Sequence, residues 1–498
     1  MRNKMAAVLC WSIMAVWPVR SEAQTLDELQ HPLVPAGKGV FSTEYEVYGI
    51  EYGAVDLDYG RMTYYRPQQV LFPEAALGLT RNLQLKLVGT YQLPTLFSHP
   101  TFVPSMYIRD ETAIIRSLSG EVLFRPTANV EVGGSFLWGR SESDSDYARS
   151  SSINAQVTER YKGSILSVHG TWLSSAAGGN GRIRSDLDGL HHPLLEAHHW
   201  KIDGELLRRW YGYAYRETDD VTPDYLLEEV RSTDTRVWLA VTHGITGRLQ
   251  IRADGYWHPP FTITETDRSL FTGWGATAER TENVVHRYRD VHGLSLNARW
   301  RAWRQAEAFL EGRWDREEIT EGAASSQAIP RAYPMTTIRA GGTWLSRPPR
   351  KETALAADLA GLYHPLLEPL QVKVDGFVDH RSSQESLGHP ESWHYRLQTT
   401  VGLSSSLQAK GYGGLLFSTT WLSPHTFEGR WTLGAELTLR MKRGTEVHAA
   451  ADLQPVSFFD DYPPFILGRD DAFRYYRDFL NRDFGGSRSA RVGVRFVF

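Results

Sequence analysis

The sequence contains almost no cysteine. Its single cysteine, Cys10, lies near the N-terminus, so residues 11–498 carry no thiol. Disulfide frameworks need at least two cysteines, and both Cys-x-x-Cys-His haem sites and cysteine metal sites need a cluster of them. The sequence therefore excludes these three kinds of site.

Long hydrophobic runs are also missing beyond the N-terminal segment. A transmembrane helix needs about 20 apolar residues, and the predominantly apolar run Met5–Trp17 is shorter than that. Basic residues precede this run, and the small residues Ser21 and Ala23 follow it. This arrangement is typical of a secretory signal peptide. We therefore expect residues 1–23 to be cleaved, leaving Gln24 as the mature N-terminus and no lipoprotein anchor.

Neither sign of charge dominates the chain. Lys and Arg number 54 against 58 Asp and Glu, which gives a formal net charge of −4 with neutral histidine. Surfaces that bind nucleic acid are strongly basic, so the composition argues against a nucleic-acid partner.

Sequence motifs for catalysis and metal binding are absent as well. The chain has no Gly-x-Ser-x-Gly elbow, no phosphate loop and no His-Glu-x-x-His. A histidine cluster at residues 191–199 is a weak metal candidate, because a similar segment at residues 363–371 retains only one of its four histidines. Acidic pairs near residues 460 and 470 are weak candidates for calcium, because they lack the spacing of a 12-residue calcium loop. The sequence thus predicts no enzyme, cofactor or metal site, although a hydrolase assembled from distant strands stays an alternative.

What the sequence does contain is alternation of apolar and polar residues. In Ser489–Phe498, Val492, Val494, Phe496 and Phe498 occupy every second position, with arginine or glycine between them. Side chains alternate between the two faces of a strand, so this period predicts one apolar and one polar face. The same period recurs in strands of roughly ten residues, which suits a strand that crosses a bilayer at a tilt.

These alternating strands are separated by short turns on one side and longer polar stretches on the other. The turns predicted are Thr80–Asn82, Pro126–Ala128, Thr246–Arg248 and Lys442–Gly444. The polar stretches, which we expect to be loops, are Ser141–Asp146, Thr218–Glu229, Phe261–Thr281, Glu318–Tyr333, Arg381–Ser392 and Phe458–Ser487. Short turns at one end and long extracellular loops at the other are typical of outer-membrane barrels.

The final strand, which ends on an aromatic residue, resembles the closing strand of Gram-negative outer-membrane β-barrels. The resemblance implies an all-β fold, a transmembrane antiparallel up-and-down β-barrel with an even number of 18 to 22 strands. It also implies that the barrel assembly machinery reads Val494, Phe496 and Phe498, and that the partners include outer-membrane lipids and lipopolysaccharide. The last strand of a soluble sandwich would look similar. The domains expected are the signal peptide at 1–23, a short periplasmic segment at 24–38 and the barrel at 39–498.

An internal repeat accompanies this pattern. Gly170–Gly204 matches Gly342–Gly376 without a gap, with 17 identities in 35 positions, and Thr420–Ser423 repeats the tetrapeptide TWLS a third time. Related segments should cross the membrane in the same direction, which requires an even number of strands between them. Direct reading of the strands finds an odd number, so one strand between Asp203 and Thr336 is missed or invented.

The polar positions between the apolar ones are the candidate functional residues. Three basic-x-Asp pairs stand out among them, because residues two apart share a strand face. The predicted lumen-lining set is Lys86, Glu131, Lys201, Asp203, Arg252, Asp254, Lys373, Asp375, Glu436, Arg440, Asp452, Arg491 and Arg495.

The segment Phe458–Ser487 interleaves charged and aromatic residues and is a candidate constriction, or else an ordered extracellular loop over the barrel mouth. Its charged residues are Asp460, Asp461, Arg469, Asp470, Asp471, Arg474, Arg477, Asp478 and Arg482. Charges on a barrel wall select solutes, so the first functional hypothesis is a channel or porin for small polar or charged solutes. The alternatives are export or assembly of a surface polysaccharide, structural anchoring, and the sheath of an electron conduit that would need a separate haem protein.

Overall fold

The computed structural model describes fourteen ranges of the chain. They are residues 33–53, 63–93, 101–103, 106–150, 153–174, 194–219, 225–273, 276–323, 329–347, 366–383, 391–420, 423–441, 444–454 and 487–497. The strands are β1 (Gly39–Gly53), β2 (Thr63–Thr80), β3 (Leu83–Leu93), β4 (Thr101–Val103), β5 (Met106–Thr127), β6 (Val130–Ser150), β7 (Ile153–Leu173), β8 (Trp200–Asp219), β9 (Tyr225–Thr246), β10 (Leu249–His258), β11 (Phe261–Gly273), β12 (Ala276–Trp303), β13 (Ala306–Ala323), β14 (Ile329–Leu345), β15 (Val372–Ser383), β16 (Glu391–Gly402), β17 (Leu407–Thr420), β18 (Ser423–Met441), β19 (Thr445–Gln454) and β20 (Ser487–Val497).

These strands form one antiparallel sheet that closes on itself, because β1 pairs with both β2 and β20. The twenty segments form fewer than twenty wall strands, because β10 and β11 are two parts of one strand and β4 is an extra short segment. Pro259-Pro260 separates β10 from β11, which both pair with β9 and β12, and the three-residue β4 pairs only with β5. The barrel therefore has 18 wall strands, which confirms the predicted fold class and the even strand number.

The two ends of the barrel differ. At the end that we call the turn end, tight connections join β2 to β3 and β9 to β10, each with two residues between the strands. Residue 33, the first described, and residue 497, the last, also lie at this end, where Val40 pairs with Val497. The opposite end, which we call the loop end, carries the longer strand extensions. This division follows the short and long connections seen in the sequence.

The strands extend much further toward the loop end than the sequence predicted. Ser141–Asp146, expected to be a loop, lies within β6, and its residues pair with both β5 and β7. Phe261–Thr281 likewise contains β11 and the start of β12, which pair with each other. Both loop predictions were wrong. Polar side chains mark where a strand leaves the hydrocarbon, but the backbone hydrogen bonds of a hairpin can continue into water.

The ends of three other predicted loops are also strand. Thr218–Glu229, Glu318–Tyr333 and Arg381–Ser392 each begin in one strand and end in the next. Strands β6 and β7 have 21 residues each, about twice the length needed to cross a bilayer. Most of the predicted loop residues in the described ranges therefore belong to hairpins that project from the barrel. The segment 458–486 lies outside the described residues.

The internal repeat occupies equivalent places in the barrel. Its first copy runs from the end of β7 into β8, and its second from the end of β14 into β15. Equivalent strands of the two copies are six wall positions apart, so the copies cross in the same direction, as the repeat requires. Thr420–Ser423, in contrast, joins β17 to β18 at the loop end. This third TWLS is a chance similarity and not a third copy.

Buried apolar residues form small clusters in place of one large core. Phe261 stacks on Tyr288 with ring centroids 4.4 Å apart beside the Pro259-Pro260 break, and Val291 completes that cluster. Val34, Val40 and Ala76 form another at the turn end. Within the described ranges, the structure contains no helix with the length and apolar character needed to cross a membrane.

Candidate functional site

The barrel wall has one apolar and one polar face. The apolar face is exposed, with Leu206, Leu239 and Leu294 at 52%, 55% and 60% accessibility. Residues at the alternate positions, such as Lys201 and Asp203, are polar and only 4–5% accessible. In a closed barrel the buried face is the inner one, so the polar face encloses the interior. A wide exposed apolar band is what a hydrocarbon environment accommodates.

The three basic-x-Asp pairs of the predicted lumen-lining set lie on this polar face, and each makes an ion pair. Lys201 Nζ lies 3.2 Å from Asp203 Oδ2, and Lys373 Nζ lies 3.3 Å from Asp375 Oδ1. Arg252 Nε lies 3.6 Å from Asp254 Oδ2. Each cation is therefore held beside an anion of its own strand.

A hydroxyl group from the neighbouring strand supports each of these carboxylates. Thr171 Oγ1 donates to Asp203 at 2.7 Å and Thr343 Oγ1 to Asp375 at 2.6 Å. Ser295 Oγ donates to Asp254 at 2.7 Å. Because Thr171 and Thr343 are equivalent residues of the repeat, the repeat conserves a hydrogen-bonded charge pair and not just a strand pattern.

The other predicted lumen residues in the described ranges also have ionic neighbours across the strands. Lys86 lies 3.2 Å from Glu74, and Glu436 lies 3.3 Å from Lys410. Arg491 lies between Asp452 and Glu44, at 3.9 Å and 3.8 Å. Arg495 stands opposite Ser42 and Glu446 in the register. Their role in lining a conduit stays a prediction.

Three arginine–glutamate pairs at the turn end form a set that the sequence revealed only in part. Arg125 Nη2 lies 2.6 Å from Glu131, Arg301 Nη2 lies 2.9 Å from Glu307, and Arg440 Nη2 lies 3.2 Å from Glu446. Each pair spans a turn with a spacing of six residues. The three glutamates are at most 4% accessible. Sequence reasoning selected Glu131 and Arg440 but missed that they belong to equivalent pairs.

Three turns of the same construction lie against the inner wall at this end, and we call them wedge turns. They comprise residues 33–38, 194–199 and 366–371. Each buries the aliphatic side chain at its second position, namely Val34, Leu195 or Leu367, at 3%, 1% and 2% accessibility. The backbone N–H of that residue donates to an inward-facing glutamine of the wall, at 2.7 Å to Gln84, 3.1 Å to Gln250 and 3.2 Å to Gln408.

A second contact fixes the apex of each wedge turn. The backbone N–H groups of Gly37, His198 and Leu370 donate to the carbonyls of Gly78, Gly244 and Gly402, at 2.8, 2.6 and 2.7 Å. The three apex residues have φ of 72°, 65° and 60°, a conformation that is unusual for histidine and leucine. A Cβ on any of the three accepting glycines would collide with a carbonyl group of its wedge turn. Glycine is therefore required where the turn approaches the wall.

The wedge turns divide the barrel into three units of six wall strands. They precede β1, β8 and β15, which are six wall strands apart in both intervals. Sequence reasoning found only the second and third units. The signal for the first was present, because Leu-x-x-Leu-x-His-Pro-Leu begins at Leu26, Leu187 and Leu359. It was missed because the wall strand next to this copy is β20, which lies far away in the sequence.

Further ionic clusters line the middle of the wall, and the sequence did not single them out. Asp315 accepts hydrogen bonds from Tyr256 at 2.9 Å and from Arg313 at 2.8–3.0 Å. Asp379, fully buried, lies 3.1 Å from Arg339 and 3.3 Å from Arg381. Opposite charges alternate across these strands, so the inner face carries many charges without a field of one sign. No group of three or more metal-binding side chains occurs among the residues that the structure describes.

Two parts of the predicted site lie partly or wholly beyond the described residues. The charged residues between Asp460 and Arg482 are outside them, and so is Phe498. Of the predicted assembly signal, Val494 and Phe496 lie in β20, between β1 and β19. The side chain of Phe496 belongs to the exposed apolar face, at 43% accessibility.

Comparisons with known proteins concern the fold. No protein-family model and no curated protein sequence matches the chain. The ferric yersiniabactin uptake receptor FyuA from Yersinia pestis is similar over 93% of this chain and 81% of that chain, with 9% identity and a TM-score of 0.52. The copper transporter OprC matches 94% of this chain and 82% of that chain, with 10% identity and a TM-score of 0.43. The likeness to FyuA shows that the fold is that of an outer-membrane β-barrel, and a fold alone does not define a function.

Proposed function

We propose that the protein is an outer-membrane transport barrel that acts as a channel for small polar or charged solutes. The observation that carries the proposal is the closed ring of 18 strands with an apolar outer band and a charged inner face. Side chains fill the interior of an eight-stranded barrel, whereas barrels of 16 to 18 strands can leave an aqueous lumen. An inner face of charges would be costly to maintain unless water or polar solutes reached it.

The arrangement of the charges favours the passage of polar solutes that carry both donors and acceptors over the passage of ions of one sign. The wall cations are held beside wall anions, as in Lys373–Asp375 and Lys410–Glu436. Such pairs offer donors and acceptors to a passing solute, while their opposite charges limit the net potential of the pathway. The proposal includes a location in the outer membrane, with the loop end outside and the turn end in the periplasm.

Conductance of the purified, folded protein in planar bilayers tests this proposal. We expect discrete current steps from the wild-type barrel. Replacement of Arg252 and Lys373 by glutamine should shift the reversal potential in a salt gradient toward cation selectivity, because both side chains are partly accessible, at 15% and 19%. Lys201 is less suitable because it is almost completely buried.

The matched control removes the partner anions of the same two pairs. The variant Asp254→Asn with Asp375→Asn should shift the reversal potential in the opposite direction, toward anions. Equal reversal potentials for both double variants would show that these pairs do not face the permeation path. A folded wild-type barrel without current steps would contradict the channel itself.

One observation favours a second candidate, a barrel for surface polysaccharide export or structural anchoring. The three wedge turns lie against the inner wall at the turn end, where they occupy part of the opening. Were the wild-type protein folded but electrically silent, this alternative would replace the channel.

A further inference from the structure

One inner-face position carries glutamate in two of the three units and phenylalanine in the third. It lies ten residues after the buried aliphatic residue of the wedge turn, and its occupants are Glu44, Glu205 and Phe377. Glu205 lies 2.8 Å from Arg236, and Glu44 lies 3.1 Å from His448. The third unit therefore presents an aromatic ring where the other two hold a carboxylate beside a basic side chain.

Arg396 of β16 is the cation that faces this phenylalanine. It is the register partner of Phe377, so the two side chains share the inner face, and the Arg396 side chain is exposed. Its guanidinium carbon lies 5.4 Å from the ring centroid of Tyr412 on β17. Among the residues that the structure describes, no carboxylate lies within ion-pair distance of this guanidinium group. Arg396 thus differs from the paired cations described above.

Two carboxylates of β15 lie near Arg396 on the same face, but each is held by another cation. They are Asp375 and Asp379, which precede and follow the register partner of Arg396 by two residues. Lys373 lies 3.3 Å from Asp375, and Arg339 lies 3.1 Å from Asp379. The charge of Arg396 is therefore left for a group that the wall does not supply.

Aromatic side chains form a continuous apolar surface beside this cation. Phe309 of β13 and Phe377 of β15 stand on either side of Gly341 in one register row. A Cβ at Gly341 would collide with both side chains, so the two phenylalanines cover the glycine from its two sides. Both are half-buried. Beyond Arg396 the row reaches Gly414, which adds no side chain. The exposed guanidinium group therefore lies at the edge of an aromatic surface.

We propose that Phe377, Arg396 and Tyr412 form a binding subsite for an aromatic carboxylate inside the barrel, and we call it the Arg396 subsite. A guanidinium group binds a carboxylate through two parallel hydrogen bonds, and an aromatic ring of the solute packs against the rings of the wall. Phenylalanine at the position of Glu44 and Glu205 removes the internal carboxylate, so that the solute provides one. The inference deepens the proposed function and rests on it, because the solute must reach the inner wall.

Titration calorimetry of benzoate into the folded, detergent-solubilised protein tests the Arg396 subsite. We expect saturable binding to the wild type. Arg396→Gln should bind at least about tenfold more weakly, because it loses hydrogen bonds between two charged groups. Benzamide has the ring without the charge, and acetate has the charge without the ring. Each should bind the wild type at least about tenfold more weakly than benzoate does.

A second variant restores the carboxylate that the other two units carry. Phe377→Glu should abolish benzoate binding, because the introduced carboxylate would pair with Arg396. Phe377→Gln removes the same ring without adding a charge, so it should bind benzoate more strongly than Phe377→Glu does. Equal affinities of these two variants would overturn the proposal. Both variants keep Arg396, so this comparison decides the matter even if Arg396→Gln does not fold.

The matched control removes a partly accessible inner-face cation that has a carboxylate partner. Lys86 of β3 lies 3.2 Å from Glu74, and Lys86→Gln should keep the wild-type affinity for benzoate. Absence of saturable binding to the wild type would overturn the proposal. Equal affinity of the wild type and Arg396→Gln would do so as well, and so would equal losses in Arg396→Gln and Lys86→Gln. Benzamide or acetate binding as strongly as benzoate would overturn the assignment to an aromatic carboxylate.

The binding assay and the conductance assay separate this inference from the proposed function. A wild-type barrel that gives current steps in planar bilayers but does not bind benzoate would contradict the Arg396 subsite alone. A folded barrel that binds benzoate through Arg396 but stays electrically silent would contradict the channel and leave the subsite in place.

Discussion

At the scale of single residues, the buried charges of the inner wall are held by specific partners. Glu446 is fully buried and lies 3.2 Å from Arg440. Removing one member of a buried ion pair leaves the other charge without compensation. The resulting loss of stability is larger than the net stability that the intact pair contributes. The glutamates at the turn end should therefore tolerate neutralisation poorly.

We expect Glu446→Gln to lower the free energy of unfolding by about 3 kcal/mol, because the partly buried Arg440 would keep its charge beside a neutral side chain. Denaturant unfolding of the detergent-solubilised barrel, followed by tryptophan fluorescence, measures this change. Glu74→Gln is the control, since Glu74 and Lys86 are each about one-third accessible and an exposed pair contributes roughly 1 kcal/mol or less. Similar losses in both variants would contradict the distinction between the two pairs.

The sequence could predict which residues share a face but not which of them pair across strands. Alternation placed Lys201 and Asp203 on one side of β8, and the structure has them in contact. The cross-strand partners of Asp315 and Asp379 are Tyr256 and Arg339, which lie 59 and 40 residues away along the chain. Nothing in the local pattern specifies those contacts, so the clusters around Asp315 and Asp379 became visible only in the folded barrel.

At the scale of elements, the wedge turns depend on glycine at the point of contact with the wall. A Cβ at Gly402 would meet the backbone of Leu367 and Glu368, whereas one at Gly411 would meet no atom within 4 Å. Both glycines lie in strands without positive φ. The two positions therefore separate a steric effect from the general cost of changing glycine in a strand.

Gly402→Ala should lower the unfolding free energy by about 1–3 kcal/mol, the usual cost of forcing extra atoms into a packed place. Gly411→Ala should change it by less than about 0.5 kcal/mol, as substitutions away from close contacts do. The same unfolding assay measures both variants. A destabilisation of equal size at Gly411 would show that the wedge turn is not the cause.

The last strand is the element on which assembly should depend most. Phe496 stands between Phe41 of β1 and Thr445 of β19 on the exposed apolar face. Phe496→Ser, or deletion of Phe498, should abolish the heat-modifiable band of the folded barrel in outer-membrane fractions. Ala490→Ser, an exposed position of the same strand, should leave that band unchanged. Wild-type amounts of folded Phe496→Ser protein would contradict the assigned role of this strand.

Strand existence was predictable from the sequence, while strand length was not. Alternation of Leu249, Ile251 and Ala253 identified β10, and turn residues marked its start. The extension of β6 through Ser141–Asp146 could not be foreseen, because a run of serine and aspartate has no apolar face to indicate a strand. Such residues stay in the sheet through backbone pairing with β5 and β7.

At the scale of the whole molecule, the barrel is built from three units of six wall strands. Leu173, Leu345 and Val497 occupy equivalent places at the turn ends of their strands. The backbone N–H of each donates to a carbonyl in the turn between the two preceding strands, that of Asn129, Gln305 or Gly444 respectively, at 2.8–2.9 Å. Two of the units are recognisable as a sequence repeat, because in each of them the strand before the wedge turn and the strand after it are consecutive in the chain. The third unit did not appear as a sequence repeat, because its first strand follows β20 only through the closure of the barrel.

The central claim is that this chain spans the outer membrane as a barrel with its loop end outside. Single cysteines introduced in a Cys10→Ala background, reacted with a membrane-impermeant thiol reagent on intact cells, test it most directly. Asp144→Cys in β6 and Ser382→Cys in β15 lie toward the loop end, and Gly247→Cys lies in a turn at the opposite end. We expect both loop-end cysteines to react on intact cells and Gly247→Cys to react only after the outer membrane is permeabilised. Labelling of Gly247→Cys on intact cells, with Asp144→Cys and Ser382→Cys protected, would contradict this orientation.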